Sequence, residues 1–236
     1  MISKSSPMLD VAANYRTICQ RIGEAAARAG RDSQEVKLLG AAKSQKAELL
    51  RSAIRAGVRL LGENYVQEAQ EKKQQICEAA EWHMIGHLQR NKAKKAVEIF
   101  DVIESLDNIA LARELHKEAS KQNKTIRVLV EVNFGGEAKK SGVTGEQVKD
   151  LLRATEELAN LRIEGLMAVP PFRENPEEVR PYFQRLRELR ERLRELRLAN
   201  VDLRELSMGM THDYTVAVEE GATIVRIGTA LFGPRV

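Results

Sequence analysis

Val36-Lys37-Leu38-Leu39-Gly40-Ala41-Ala42 is a short apolar run that leads directly into Lys43. Such a run predicts a buried strand, and we interpret it as the first strand of an α/β barrel. The C-terminal ends of barrel strands carry the chemistry of these folds, so Lys43 is expected on the active face. Near the far end of the chain, Ile224-Val225-Arg226-Ile227-Gly228-Thr229 predicts a last strand that enters a Gly-Thr turn and a short terminal helix.

Short strands alternate with longer helical patterns through the rest of the chain. We predict eight strands, which is the number in a single (β/α)8 barrel of the TIM type. The strands are expected at Val36–Ala42, Arg59–Leu61, Trp82–Ile85, Val102–Ser105, Ile126–Asn133, Arg162–Ala168, Leu203–Ser207 and Thr223–Ile227. A doubly wound open sheet shares this alternation and is the alternative fold.

Length and composition favour one domain over residues 1–236. With 236 residues, of which 43% are apolar, the chain lies within the size range of one α/β barrel. An extra helix, from about Leu9 to Ala29, precedes the first strand with Gly30 as its C-terminal cap, and we expect it to close the bottom of the barrel. Two long irregular stretches, Phe134–Gly145 and Val169–Pro176, follow strands and should lie on the active face.

The charge pattern gives little support for a nucleic-acid partner. The 38 basic and 34 acidic residues are spread along the chain, and the net charge is +4. The arginine-rich segment Arg185–Arg197 leaves a nucleic-acid or protein-binding module open as an alternative function. Glutamates interleave its arginines and its leucines form one apolar face, so a solvated barrel helix is favoured.

We predict a cytoplasmic protein without a metal site. The N-terminus lacks the apolar core of a signal peptide, no stretch is long enough to cross a membrane, and Cys19 and Cys77 are interpreted as reduced packing residues. His83 and His87 flank Gly86 in a predicted strand-to-helix turn, where they could contact a ligand. Two histidines without a carboxylate or thiolate at suitable spacing do not predict a metal site.

Lys43 is a candidate nucleophile. An apolar pocket lowers the pKa of a lysine and frees its lone pair to attack an aldehyde. The residues directly around Lys43, which are Ala41, Ala42 and Ser44, carry no charge. The alternative is an ordinary solvated lysine.

The segment after the last strand predicts a phosphate site. Gly228 lets the backbone approach an anion, and the turn that follows offers N–H groups at a helix N-terminus. Ser207 adds a hydroxyl at the end of the predicted seventh strand, so a phosphate is expected between Ser207 and Thr229. The alternative is that Gly209 and Gly228 only make turns.

Arg226 should face the inside of the barrel, because Val225 and Ile227 are predicted to face the helices. A buried arginine needs an acceptor. A pyridine nitrogen would serve, and a permanent cation there would keep that nitrogen unprotonated. The competing interpretation is a core salt bridge to Glu63, Glu131 or Glu205.

Five sequence blocks resemble the YggS/PROSC family of proteins that bind pyridoxal 5′-phosphate (PLP). The blocks span nearly the whole predicted barrel, and in combination they are far more specific than any one of them. They are Leu39 to Lys43 (LGAAK), Gly62 to Glu68 (GENYVQE), Trp82 to Lys92 (WHMIGHLQRNK), Gly165 to Pro171 (GLMAVPP), and Leu206 to Met210 (LSMGM) together with Val225 to Thr229 (VRIGT).

The resemblance implies the fold of the alanine racemase N-terminal domain, with PLP held as a Schiff base. By position, Lys43 is the aldimine lysine, and Arg226 faces the pyridine nitrogen. The other implied cofactor-binding residues are Ser207, Gly228 and Thr229 at the phosphate and Asn64 beside the ring. The chain departs from the family around the lysine: Ala42 stands where serine is common, and Ser44-Gln45-Lys46 replaces a Thr-Lys-Pro-like sequence. The loop after the first strand is therefore expected to have its own shape.

The family resemblance also implies a role in PLP homeostasis and in amino- and keto-acid balance, without an established catalytic activity. A racemase of related fold needs a second domain and a catalytic tyrosine, and only seven residues follow Thr229. We therefore predict a monomeric carrier, not an enzyme, whose recipients are apo PLP enzymes. A fold-type III PLP enzyme, acting as an amino-acid racemase or lyase, is the alternative.

Overall fold

Eight parallel strands form a closed barrel in which each strand pairs with the next one in the chain and β8 pairs with β1. The computed structural model describes residues 10–134 and 141–234. The strands are β1 Lys37–Ala41, β2 Leu60–Glu63, β3 Glu81–Met84, β4 Val102–Leu106, β5 Ile126–Val132, β6 Leu161–Ala168, β7 Val201–Met210 and β8 Ile224–Ile227. This closed topology confirms the predicted barrel and excludes the open doubly wound sheet.

Helices follow the strands in the expected alternation. They are α1 Val11–Arg28, α2 Ala47–Ala56, α3 Val66–Gln75, α4 Ala93–Ile99, α5 Ile109–Lys121, α6 Gly145–Ala154, α7 Arg180–Arg194, α8 Tyr214–Glu219 and α9 Thr229–Phe232. Short 3-10 turns cover Ser33–Glu35, Arg90–Lys92 and Pro176–Val179. None of the helices in the described part of the chain is long and apolar enough to span a membrane.

Side chains alternate between the two faces of each strand, and the buried apolar residues form two separate clusters. The larger one fills the shell between the barrel and its helices. The smaller one lies inside the barrel and is built by Leu39, Leu60, Val102, Leu129, Met167 and Ile224. Since neighbours along a strand point to opposite faces, apolar residues next to these six, such as Leu38, Leu61 and Ile103, belong to the outer cluster. Val225 and Ile227 are in the outer cluster, as predicted.

The leading helix α1 lies on the side of the barrel, so the expectation that it closes the bottom is wrong. It packs against α2, α8 and α9, and Asn14 Nδ2 donates to the carbonyl of Leu231 at 3.0 Å. The physical reason is that α9 has only four residues, which leaves a gap in the outer ring between α8 and α2. Ion pairs near the N-terminal ends of the strands cover the bottom instead, among them Lys37 with Glu205 at 2.6 Å.

The predicted arginine-rich helix 185–197 is shorter at its C-terminal end, because α7 stops at Arg194. Arg197 has a φ of 46°, which is incompatible with continuation of a right-handed helix. Leu186, Leu189 and Leu193 are buried, and several arginines contact glutamates, for example Arg187 with Glu220 at 2.8 Å. These contacts are those of a barrel helix and do not favour the nucleic-acid alternative.

Two further expectations need adjustment. Cys19 is half-buried, but Cys77 is exposed, because it lies beyond the end of α3 and not within a helix; it is no packing residue. Of the loop predicted at Phe134–Gly145, residues 135–140 lie outside the described residues. The described parts of this loop and of Val169–Pro176 follow the C-terminal ends of β5 and β6.

Candidate functional site

The C-terminal ends of β7, β8, β1 and β2 lie side by side and carry most of the predicted site. Lys43 is half-buried in a turn that begins after β1. The β1–β2 pairing aligns Ala41 with Gly62, and the Ala42 amide donates to the Gly62 carbonyl at 2.8 Å. Asn64 follows β2 directly. The barrel thus brings Lys43 and Asn64 to the same end of two paired strands.

The turn at Gly228 lies next to the end of β1. A Cβ atom added to Gly228 would be 3.7 Å from the Cβ of Ala41. The hydroxyl of Thr211 accepts from the backbone N–H groups of Gly228 at 3.3 Å and of Ala230 at 3.4 Å. A hydroxyl that accepts twice still has one proton to donate. This turn therefore collects a hydroxyl and backbone N–H groups beside the strand that leads into Lys43.

Arg226 faces the barrel interior, where three hydrogen bonds fix its guanidinium. Nη1 donates to the carbonyl and to the hydroxyl of Ser207, both at 2.7 Å, and Nη2 donates to the carbonyl of Ala168 at 2.8 Å. The Ser207 hydroxyl in turn donates to Glu104 Oε2 at 2.5 Å. Since β4 and β7 are not neighbours, this last bond crosses the lumen.

The acids proposed from sequence as salt-bridge partners of Arg226 are engaged elsewhere. Glu63 pairs with Lys72, and Glu205 pairs with Lys37. Glu131 accepts from the hydroxyl of Ser141 at 2.8 Å. The carboxylate that approaches Arg226 is Glu104, at 3.9 Å, a residue that sequence reasoning did not select. The contact of Ser207 with a phosphate stays a prediction, because the Ser207 hydroxyl here accepts from Arg226 and donates to Glu104.

His83 extends this network through the lumen. It lies on β3 and is buried, not in the strand-to-helix turn. Nδ1 is 2.6 Å from Glu104 Oε1, and Nε2 is 3.0 Å from Glu81 Oε1. Burial alone would lower the pKa of His83, but the hydrogen bonds with Glu104 and Glu81 outweigh it and raise that pKa to about 9. At neutral pH a histidinium therefore lies between two carboxylates, and Glu104 connects it to Arg226.

The raised pKa of His83 predicts a pH dependence of stability. Its ordinary pKa of 6.5 applies to the unfolded chain, so the folded state holds the proton more tightly. The resulting stabilisation is complete below pH 6.5 and is lost as the pH rises through about 9. We expect His83 to contribute a fall of about 3 kcal/mol in the free energy of unfolding over that range. Urea unfolding at a series of pH values measures it.

Comparison with two variants isolates this effect from other titrating groups. His83→Gln should flatten the decline between pH 6.5 and 9, because glutamine does not titrate. His212→Gln is the matched control, because His212 is exposed and its loss should leave the wild-type decline intact. Parallel curves for wild type and His83→Gln would contradict the prediction.

A second buried cluster lies on the outer side of the Lys43 turn. Lys72 Nζ, on α3, donates to the Ala42 carbonyl at 2.7 Å, to Glu63 Oε1 at 2.7 Å and to Glu68 Oε1 at 2.6 Å. The Ser44 amide donates to the same Glu68 oxygen at 2.6 Å. From sequence, Glu63 was considered only as a partner of Arg226 or, like Glu68, as an acid suited to the start of a helix. The available signal was the i,i+4 spacing of Glu68 and Lys72 on α3.

Asn64 also borders a cleft of about 370 Å³ at the ends of β2 and β3. His87 lines the cleft, and its Nδ1 is 3.4 Å from Asp107 Oδ2. Gly86 allows the two chain segments to meet, because a Cβ there would lie 2.6 Å from the Asn64 carbonyl oxygen. Asn64 is thus held by close backbone packing at the mouth of the barrel.

This arrangement defines an alanine-racemase-type barrel. The sequence pattern of the family described as "Alanine racemase, N-terminal domain" matches residues 11–236. Alanine racemase from Clostridium difficile 630 shares the fold with a TM-score of 0.75 at 14% identity, over 94% of this chain and 57% of that one.

Relatives with higher sequence identity define the family within this class of barrels. A "Pyridoxal phosphate homeostasis protein" of Aquifex aeolicus (strain VF5) is 50% identical over 219 residues, which are 92% of this chain and 95% of the relative. The protein of that name from Pseudomonas aeruginosa is 42% identical over 97% of both chains. PipY of Synechococcus elongatus PCC7942, solved with PLP bound, is 34% identical with a TM-score of 0.80 over 92% of this chain and 100% of PipY. The chain belongs to the family of pyridoxal phosphate homeostasis proteins.

Proposed function

We propose that the chain binds PLP at the C-terminal face of its barrel, holds it reversibly on Lys43, and releases it to apo PLP enzymes without catalysing turnover. The observation that carries this proposal is the convergence of an amine, an N–H-rich turn and a fixed arginine on β7, β8 and β1. The relatives named for PLP homeostasis, and PipY with PLP bound, support the same ligand.

The residues present match the chemical groups of PLP. The cofactor supplies an aldehyde that condenses reversibly with amines. Lys43 Nζ would bond to the aldehyde carbon with loss of one water molecule. The backbone of Gly228 and Thr229, with the Thr211 hydroxyl, would hold the phosphate, because hydroxyl and N–H donors suit an anion. Arg226 would face the ring nitrogen, and Asn64 would lie beside the ring.

Arg226 also supports binding without turnover. Carbanion chemistry on a pyridine ring depends on the ring as an electron sink, and a protonated ring nitrogen strengthens it. Arginine stays charged and only donates hydrogen bonds, so it cannot protonate a neighbouring nitrogen. The bonds from Arg226 to Ser207 and Ala168 keep its guanidinium in place. The relatives' names as homeostasis proteins agree with this part of the proposal.

Reactivation of an apo aminotransferase tests the carrier function. Protein loaded with PLP and freed of excess cofactor is mixed with the apoenzyme in the presence of a phosphatase that destroys free PLP. We expect the loaded protein to restore aminotransferase activity while the same amount of free PLP does not. Lys43→Ala protein treated in the same way is the control and should resemble free PLP. Equal reactivation by loaded protein and by free PLP would refute delivery.

A further inference from the structure

Lys72 is a buried lysine whose contacts converge on the turn that holds Lys43. Its side chain is only 9% exposed, and its partner Glu63 is fully buried. An ammonium group has three N–H bonds, and three acceptors lie within 2.7 Å of Lys72 Nζ: the Ala42 carbonyl, Glu63 and Glu68. One of them is the backbone of the residue directly before Lys43. The lysine therefore ties α3 to the end of β1.

The residue directly after Lys43 is held by the same cluster. The Ser44 amide donates to Glu68 Oε1, the oxygen that also accepts from Lys72. Ser44 has a φ of 60°, in the left-handed region that residues other than glycine rarely adopt. Such a conformation persists only where surrounding contacts impose it. Both peptide units that flank Lys43 are thus fixed by one ion cluster on α3 and β2.

The cluster is not an ordinary surface ion pair. Glu63 Oε2 has no hydrogen-bond partner among the described residues, and burial raises the pKa of Glu63 to about 7 in spite of its bond to Lys72. Burying such groups is costly, and replacing a buried ion pair by apolar residues of similar volume is often neutral or stabilising. Stability alone therefore does not explain ionic groups at this position.

We propose that Lys72, together with Glu68, is a positioning residue that holds the backbone on both sides of Lys43 so that the Lys43 amine is ready to bond to the aldehyde of PLP. This inference rests on the proposed function of Lys43. The departures from the family pattern at Ala42 and Ser44 fall in the segment that the cluster holds. Lys72 itself needs no contact with the cofactor.

Titration with two ligands distinguishes an effect on the positioning of Lys43 from an effect on binding of the ring and the phosphate. PLP carries the aldehyde, whereas 4′-deoxypyridoxine 5′-phosphate keeps the ring and the phosphate but has a methyl group in place of the aldehyde. Lys72→Met should weaken PLP binding about tenfold, the factor expected if about one extra residue has to be ordered on binding. Its affinity for the deoxy analogue should stay within about twofold of wild type. Equilibrium titrations, with borohydride trapping for PLP, measure both.

Matched variants control for the loss of a lysine and for an unpaired acid. Lys73→Met removes the neighbouring lysine on α3, which donates to the Ile99 carbonyl at 2.6 Å, and should bind both ligands like wild type. Lys72→Met combined with Glu63→Gln leaves no charge on the fully buried partner of Lys72, whereas Glu68 is partly exposed, and it should reproduce the selective loss of PLP affinity. Thermal melting verifies that each variant is folded.

The outcomes distinguish this inference from the proposed function. Wild-type PLP affinity in both Lys72 variants, or equal loss of PLP and of the analogue, would overturn the positioning role while leaving Lys43 chemistry intact. If wild type itself showed no borohydride-stable PLP, the proposed function would fail and the inference with it. Selective loss of PLP affinity in both Lys72 variants supports the inference.

Discussion

Replacing Lys43 with alanine is expected to abolish the covalent attachment of PLP. Wild-type protein incubated with PLP should develop a visible absorption band, and borohydride should bleach it and fix about one cofactor per chain. Lys43→Ala should show neither the band nor the added mass, because the amine after β1 is gone while the turn at Gly228 remains. Absorption spectroscopy and mass spectrometry after reduction measure the loss.

A neighbouring lysine provides the control for this experiment. Lys46 is exposed at the N-cap of α2, three positions further along the chain, so Lys46→Ala should label like wild type. Peptide mapping of the reduced wild type should place the added mass on Lys43. Labelling of Lys43→Ala at the wild-type level, for example on Lys72, would show that a different amine holds the cofactor.

Of the substitutions proposed for this protein, Gly165→Ala should cause the largest fall in the free energy of unfolding. Gly165 lies on β6 opposite Glu205 of β7, and an added Cβ would lie 2.1 Å from the Glu205 carbonyl oxygen and 2.7 Å from its carbonyl carbon. Both are backbone atoms of a paired strand, so neither can swing aside. We expect the free energy of unfolding to fall by at least about 3 kcal/mol, the upper part of the range for overpacking. Urea denaturation measures the change.

Gly23 supplies a matched glycine at which the same substitution should help. It lies inside α1, and nothing is within 4 Å of the Cβ it would gain. Alanine in a helix interior is favoured over glycine by roughly 0.5–1 kcal/mol, so Gly23→Ala should stabilise the fold by about that amount. A Gly165→Ala variant as stable as wild type would mean that β6 and β7 can separate at this point.

The alternation of short strands and helical patterns was sufficient to predict the barrel, and among the strands only the end points were misjudged. The seventh strand was expected to end at Ser207, but β7 runs on to Met210. The reason is Gly209, which has a φ of 88° and was predicted to follow the strand, with a turn residue as the alternative interpretation. In the structure this glycine lies within β7, at the point where the pairing register between β7 and β8 shifts, between Ser207 and Met210. The pairing of β7 with β8 therefore continues to Met210, past a residue whose local conformation is typical of a turn.

Within the candidate site, the sequence indicated which residues lie at the mouth but not what holds them. Three residues of the site directly follow a strand in the sequence, so their location at the mouth of the barrel could be predicted from chain order alone. They are Lys43, Asn64 and Gly228. The contacts of Arg226 depend on Glu104, which is 122 positions away, and on bonds across the lumen. Such pairings require the register and closure of the barrel, which no local pattern contains. The local signs of a polar lumen were the inward alternation of Arg226 on the last strand and that of Glu81 and His83 on β3.

The polar lumen has a consequence for how the protein responds to temperature. Unfolding hydrates His83, Glu104, Ser207 and Arg226, which are all buried in the folded chain. Hydration of polar surface lowers the heat capacity of the unfolded state, whereas hydration of apolar surface raises it. A barrel with this interior therefore has a smaller heat-capacity change on unfolding than one filled by aliphatic side chains. Its stability curve is correspondingly flatter, so the barrel keeps more of its maximal stability towards both cold and heat.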